Sequence, residues 1–433
     1  MELIGSKVPE LVPLSPNDIP FVGTFRTMLY LYRRAPDAGR LRATLRQLIR
    51  EVPDISGRLA QHGSDFFIAR NDAGVEFDLR DVKYPMPEYG FDQPIDADTN
   101  LDLQTYADQP RSLEGVLCAF RMTRFSCGGA ILAMEISHAL ADGHGRGWLL
   151  ARWARLCRGA PPLPPLDLNR SQLIELATTC TDDAALQRKF VTLPLPDLAK
   201  RFASKTSEPT AYKVFRVSAH RLAELHESYR SRMVVSQWFS QQDVLTAKLW
   251  HTIAMIPVEE TKGTLSMPQN FRRNASIGVG PQYFGNAINF ARTHYDLGEV
   301  RAQPIEALAA HVRTSVTAAL KRERIIDELY SAWRNRGSTG SGLVMIPLEN
   351  LGTLDNDFIH INNLSRFPVS ELDFGTGAPF WVGGLKQPTP RTATIFPLSG
   401  DGANPGFAIH VHLTVSQMTV WSELVSADPF FHQ

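Results

Sequence analysis

Apolar residues along this chain recur at two spacings, and stretches of the two kinds follow one another. Phe25-Arg-Thr-Met-Leu-Tyr-Leu-Tyr32 predicts an early strand. Leu41, Leu45, Leu48 and Ile49 then mark one face of a helix, which Pro53 ends. Asp65–Arg70, the turn Asn71-Asp-Ala-Gly74 and Val75–Leu79 predict a hairpin. Residues 80–112 are polar and contain proline, which predicts a long surface connection. Val116–Phe125, the turn Ser126-Cys-Gly-Gly129 and the apolar run Ala130–Ile136 predict a second hairpin. A Gly-rich loop follows, and helical character resumes at Trp148–Cys157.

The second half repeats the alternation. Tyr212–Val217 reads as a strand and Ala219–Ser228 as a helix. Ser240, with Asp243 three positions on, forms a cap signal for the helix Val244–Ala254. Strands are predicted at 264–272, 287–290, 358–362, 392–396 and 407–415, with a turn over Pro281–Asn286 and a long helix over Pro304–Val316. Gly337–Gly342 has the composition of a flexible loop. Pro161-Pro-Leu-Pro-Pro165 marks a semi-rigid exposed connector, and the pattern stays weak to about Pro209. Helices and strands alternate in both halves, so the expected fold is mixed α/β in two domains, 1–195 and 212–433, with a crossover over 196–211.

Composition narrows the function. The chain's 433 residues suffice for two or three domains with substantial cores. Lys+Arg and Asp+Glu number 45 each, which gives no support for nucleic acid or an anionic membrane as the main partner. That balance still allows a local basic site for a phosphorylated ligand. The four cysteines (Cys118, Cys127, Cys157, Cys180) show no CxxC spacing, so reduced thiols in a cytoplasmic protein are expected. The first ten residues lack the basic and then apolar pattern of a secretory signal, and no apolar run is long enough to span a membrane.

Chemistry concentrates in Ile131–Gly147, which reads as strand, Gly-rich loop and helix, with His138 and, four residues later, Asp142 and Gly143. A neutral imidazole held there accepts a proton near pH 7. A carboxylate four positions on can pair with a cation elsewhere and fix the loop. The same spacing also fits a loop histidine without chemistry. His410 and His412 alternate on a strand with no third ligand in view, so they read as same-face strand residues and no metal is expected. Ser365 and Cys127 sit in no nucleophile motif.

Taken together, His138-x-x-x-Asp142-Gly143, Gly57-Arg-Leu59, Ser240-x-x-Asp243-x-Leu245-x-Ala247-x-x-Trp250, Asn270-x-Arg272, Pro281 with Tyr283-Phe-Gly-Asn286, and Ser365-Arg-Phe-Pro368 with Asp373-Phe-Gly-Thr-Gly-Ala-Pro379 resemble the BAHD acyltransferases. The matches keep the family's order over most of the chain. Two positions depart from the family pattern: Thr376 stands where a tryptophan is usual, and Asn270 where an aspartate is usual.

The resemblance implies two domains of the chloramphenicol-acetyltransferase type, each a mixed sheet covered by helices, with a channel between them. It implies a monomer that uses acyl-CoA as co-substrate, a small-molecule acceptor, and no metal or covalently bound cofactor. His138 would be the general base. Asp142 would turn away and pair with an arginine, Arg272 in the first place and Arg273 in the second. Backbone amides near Gly143, or the Thr376 hydroxyl, would serve the oxyanion, and Asp373 and Gly375 would shape a turn. His144 fits no family role. Two other functions share this logic. One is a condensation-type enzyme fed by a carrier protein, although Ser137 stands where such domains usually carry a second histidine. The other is a non-acylating use of the channel for binding or rearrangement.

Overall fold

The computed structural model describes residues 9–87, 115–179, 208–232, 238–338, 357–384, 390–398, 406–428 and 430–431, together with the backbone of 190–194 and 343–347. Most of the expected crossover, 196–207, and most of the 337–342 loop lie outside these residues, as does Cys180. The strands of the first half are β1 (Glu10–Pro13), β2 (Phe25–Tyr32), β3 (Arg58–His62), β4 (Asp65–Arg70), β5 (Glu76–Asp81), β6 (Cys118–Arg124) and β7 (Ala130–Ser137). Then come β8 (Phe190–Pro194), β9 (Thr210–Val217), β10 (Lys262–Asn270), β11 (Ile288–Asp296), β12 (Leu343–Pro347), β13 (Asp357–Asn363), β14 (Trp381–Gly384), β15 (Thr392–Pro397) and β16 (Phe407–Thr414).

Two mixed sheets carry the architecture. The first has the order β14-β2-β7-β6-β5, and only β5 and β6 run parallel. The second has the order β11-β10-β13-β15-β16-β9, with β13 parallel to both its neighbours. Smaller sheets join β1, β4 and β3, and pair β12 with β8. The hairpin expected over 65–79 does not form: β4 pairs with β3 and β1, whereas β5 joins β6 in the first sheet. Local turn chemistry proposed a neighbour, and burial of β5 against a distant strand prevailed. The second hairpin, β6 with β7, is present.

Alternation along each strand divides the interior. On β2, Tyr30 and Tyr32 enter a core with the Gly143–Arg158 helix, while Leu29 and Leu31 face the other way. On β16, Ile409, Val411 and Leu413 enter the second half's own core, while Ala408 turns to Leu29 and Leu31. A third apolar layer therefore joins the two sheets. Strand β14 belongs to the same junction: its Trp381 ring lies 5.4 Å from that of His410. At Gly383 a Cβ would come within 2.6 Å of His410, so glycine permits this close approach.

The Gly143–Arg158 helix is buried along most of its length between the first sheet and chain from the second half. Asp142 caps its N-terminus by accepting from the Gly145 amide (2.9 Å), and Gly159 ends it at φ 64°. A Cβ at Gly147 would lie 2.8 Å from Phe367 and Pro368, so the 364–374 segment presses directly on this helix. The Gln241–Ala254 helix has the expected capping box from Ser240 and Asp243. Among the described residues, no helix is long and apolar enough to cross a membrane.

Candidate active site

His138 is the first residue beyond β7, at the end of the strand pair where Phe25 faces Ser137. Its amide donates to the Thr24 carbonyl (2.8 Å), continuing the ladder one step past the strand. Its ring stacks on Phe21 at a centroid distance of 4.1 Å and an interplanar angle of 18°. The side chain is 9% exposed, and Nδ1 is buried without a hydrogen-bond partner.

Three side chains strap the loop that follows. Asn286 Nδ2 donates to the His138 carbonyl (2.8 Å). Arg170 donates to the Leu140 carbonyl (2.9 Å). Arg272 donates to both carboxylate oxygens of Asp142, at 2.7 and 3.1 Å. The straps are themselves held. Asp18 accepts from Asn286 through its amide and side chain, both at 2.8 Å, and from Arg170 at 2.7 Å. Arg272 also donates to the carbonyls of Tyr283 (3.0 Å) and Gly285 (2.8 Å). Asn270 accepts from the Arg272 amide (3.0 Å) and guanidinium (3.3 Å), so the asparagine keeps a contact that the usual aspartate would make with charge.

Asp142 thus points away from the imidazole. Burial pushes its carboxyl up, but the Arg272 charge and hydrogen bonds, with the Ala287 and Gly145 amides, outweigh this and hold it at about 2. Arg273 is exposed and is not the partner. Among the described residues no carboxylate is hydrogen-bonded to the His138 ring, and stacking and backbone anchors orient it instead. Its pKa lies well below 6.5, chiefly through burial and then through the charges of Arg146 and Arg26. The ring is therefore neutral at pH 7, the form that accepts a proton. At Gly143 a Cβ would come within 2.9 Å of Leu364, so the loop's turn into the helix sits against the second half.

The Asp373–Thr376 turn lies elsewhere. Tyr32, at the far end of β2 from Phe25, donates to the Leu372 carbonyl (3.0 Å) and meets the Phe374 ring at 6.1 Å. That places the turn about 23 Å along the strand from His138, at the usual rise per residue. Asp373 accepts from the amides of Gly375 (2.7 Å) and Gly377 (2.8 Å), and Arg158 donates to its carbonyl. Gly375 takes φ 102°, which favours glycine. Thr376 is thus out of reach of an oxyanion at His138, and the hydroxyl expected to serve there does not.

His144 Nε2 donates to the Pro281 carbonyl (3.0 Å). His410 is hydrogen-bonded to the Tyr212 hydroxyl, and His412 stacks on the same ring at 4.5 Å. Among the described residues, no three His, Cys, Asp or Glu side chains gather to hold a metal. Cys118, Cys127 and Cys157 are free thiols. The sequence reading singled out neither Asp18, Arg170, Phe21, Arg26 nor Arg146. Asn286 was visible as part of a motif, without its role.

A model of the family described as "Transferase family" matches residues 9–427. Tryptamine benzoyltransferase 1 from Oryza sativa subsp. japonica is 25% identical over 403 residues, 91% of this chain and 88% of that protein. Rosmarinate synthase from Plectranthus scutellarioides is 24% identical over 373 residues, 83% of this chain and 81% of that protein. F. graminearum TRI101, solved with coenzyme A and deoxynivalenol, superposes with a TM-score of 0.73 over 97% of both chains at 14% identity, a likeness of fold. The chain belongs to this transferase family, the BAHD acyltransferases.

Proposed function

We propose that the protein moves an acyl group from a coenzyme A thioester to a hydroxyl or amine of a small molecule, with His138 as general base. The halves 1–195 and 212–433 act as two domains that close a channel over this residue, joined across 196–211. One observation carries the reading: a neutral imidazole stands beside the junction of the two sheets, positioned by Asn286 and Phe21, while the neighbouring carboxylate is committed to Arg272. The relative named for benzoyl transfer and the neighbour solved with coenzyme A support the donor class.

The acceptor O–H or N–H gives its proton to the imidazole as the heteroatom attacks the thioester carbonyl. The carbonyl π pair moves to oxygen and the tetrahedral adduct forms. Backbone amides about Gly143 are the donors proposed for that oxyanion. Collapse expels the coenzyme A sulfur, which takes the proton back from the imidazolium, and His138 is restored. No covalent enzyme intermediate is needed, because the thioester is already activated.

The test is thiol release from a panel of acyl-CoAs, with hydroxylated and amino acceptors, by the protein and its His138→Ala variant. Acceptor-dependent release that falls by about 10²-fold or more supports the reading. Acceptor-dependent release that survives the substitution removes His138 from the mechanism.

A further inference from the structure

Two buried polar groups without partners flank the loop between β7 and the Gly143–Arg158 helix: His138 Nδ1 and Arg146 Nη1. Arg146 is 8% exposed, and its Nε donates to the Asp142 carbonyl (3.3 Å), which leaves Nη1 unused. It lies at the head of the helix stripe that continues through Leu149, Leu150 and Trp153 into the first core, so it faces the sheet. On that side of β2, near His138, stands Arg26 opposite Ile136. Arg26 is exposed to solvent, yet enough protein surrounds it for burial to lower its pKa. Its guanidinium donates only to the Phe25 carbonyl (3.2 Å), and among the described residues neither arginine has a carboxylate partner. Both oxygens of Asp142 are taken by Arg272 and backbone amides. Asp142 and Arg272 cancel, so among the described residues the positive charges of Arg26 and Arg146 remain beside the base without an acidic partner.

We propose that Arg26 and Arg146 form a site for a carboxylate carried by one of the substrates, next to His138. The proposal rests on the acyltransferase reading for what enters the channel, not for the existence of the site. The pantetheine arm of coenzyme A is uncharged and its phosphates lie at the nucleotide end, so an anion this close to the base belongs to the acyl group or to the acceptor. Two arginines offer the fork of donors that a carboxylate takes up. Seating it would also offset the charges that depress the basicity of His138. The base would then be strongest when the correct substrate is in place. Facing it are Arg26 from β2, and Arg146 and Asp142 from the helix and its cap; on β13, burial and then the Arg26 charge lower the His360 pKa.

Two measurements test this. The first follows the His138 ring proton by NMR, assigned by its loss in His138→Ala, through a pH titration with and without malonate. Malonate should raise the His138 pKa in the protein and leave it unmoved in Arg26→Gln. The second compares thiol release in two arms, malonyl- and succinyl-CoA against acetyl- and butyryl-CoA, and hydroxy or amino acids against their methyl esters. The arm in which the carboxylate raises kcat/KM by about tenfold or more names its source. Arg26→Gln and, where it folds, Arg146→Gln should bring that ratio toward one. A His138 titration unmoved by malonate, with no carboxylate preference in either arm, overturns the site. A preference that Arg26→Gln leaves intact overturns it as well. A malonate-sensitive titration without thiol release keeps the site and removes the acyltransferase reading.

Discussion

Asp142 and Arg272, 130 residues apart in sequence, meet in a buried two-point ion pair at 2.7 and 3.1 Å. The pair ties the loop behind His138 to the segment that leads into Tyr283–Asn286. Removing one partner leaves the other charge buried, at a cost of about 3–5 kcal/mol. Asp142→Ala and Arg272→Met should therefore each lower the urea midpoint strongly, and the double variant should cost less than their sum. A double-mutant cycle that shows simple additivity would contradict the pairing. The sign with pH also follows. Asp142 sits at about 2 when folded, below the unfolded value, so its contribution is present above about pH 4 and is lost as pH falls through 2.

Asn286 holds the carbonyl of His138, whereas Asp142 holds the loop four residues on. Asn286→Ala frees the carbonyl and strips Asp18 of one donor, the side-chain amide, while the backbone amide stays. Unsatisfied buried groups of this kind cost about 1–3 kcal/mol. The imidazole should then lose its set orientation, so kcat should fall by about tenfold or more with a smaller change in the acyl-CoA KM. Steady-state kinetics at a temperature where the variant is fully folded decides this. A change in KM alone would assign Asn286 to binding rather than to positioning.

The Asp373 turn should behave in the opposite manner. Its carboxylate closes on the Gly375 and Gly377 amides, about a strand's length from the chemistry. Asp373→Ala and Gly375→Ala should each lower the melting temperature, with kcat per folded molecule within about twofold of the parent. Strain at a positive φ costs about 1–3 kcal/mol. Thr376→Trp, which restores the family's usual residue, should leave kcat unaltered. A large kcat effect of Thr376→Trp would place this turn in communication with His138 and contradict the geometry.

Much of this was legible from residue order alone. The His138 loop shows itself because an apolar strand, glycines and a helix cap are all local signals, and the same holds for the Ser240 capping box. The motif could also announce that Asp142 needs a cation, and the resemblance already put Arg272 before Arg273; the fold adds the two-point geometry of that pair. What escaped was non-local. The partner of β5 is β6, not the adjacent β4, and a turn signal cannot show which strand buries a face. Strand β14 spans four residues between loops and is recognised only by its pairing with β2. Arg26 and Arg146 read as ordinary charges on a strand and a helix. Only the strand register and the helix face turn both toward His138.

Stability in acid follows from the buried imidazoles. Burial and the Arg26 charge lower His360 to about 4, and burial with His412 beside it lowers His410 to about 3. His138 lies well below 6.5 through burial, Arg146 and Arg26. The unfolded chain titrates these rings near 6.5, so between that value and the folded ones it binds protons that the native state refuses. Their contribution is complete above about pH 6.5 and is lost as pH falls toward each folded value. The unfolding free energy from urea titrations should therefore drop from pH 7 to pH 4.5, before the Asp142 pair protonates. His410→Phe should cost stability at pH 7, because the Tyr212 hydroxyl loses its partner, and should flatten part of the slope. A profile as steep in His410→Phe as in the parent would show that His410 is not among the groups that couple folding to acid.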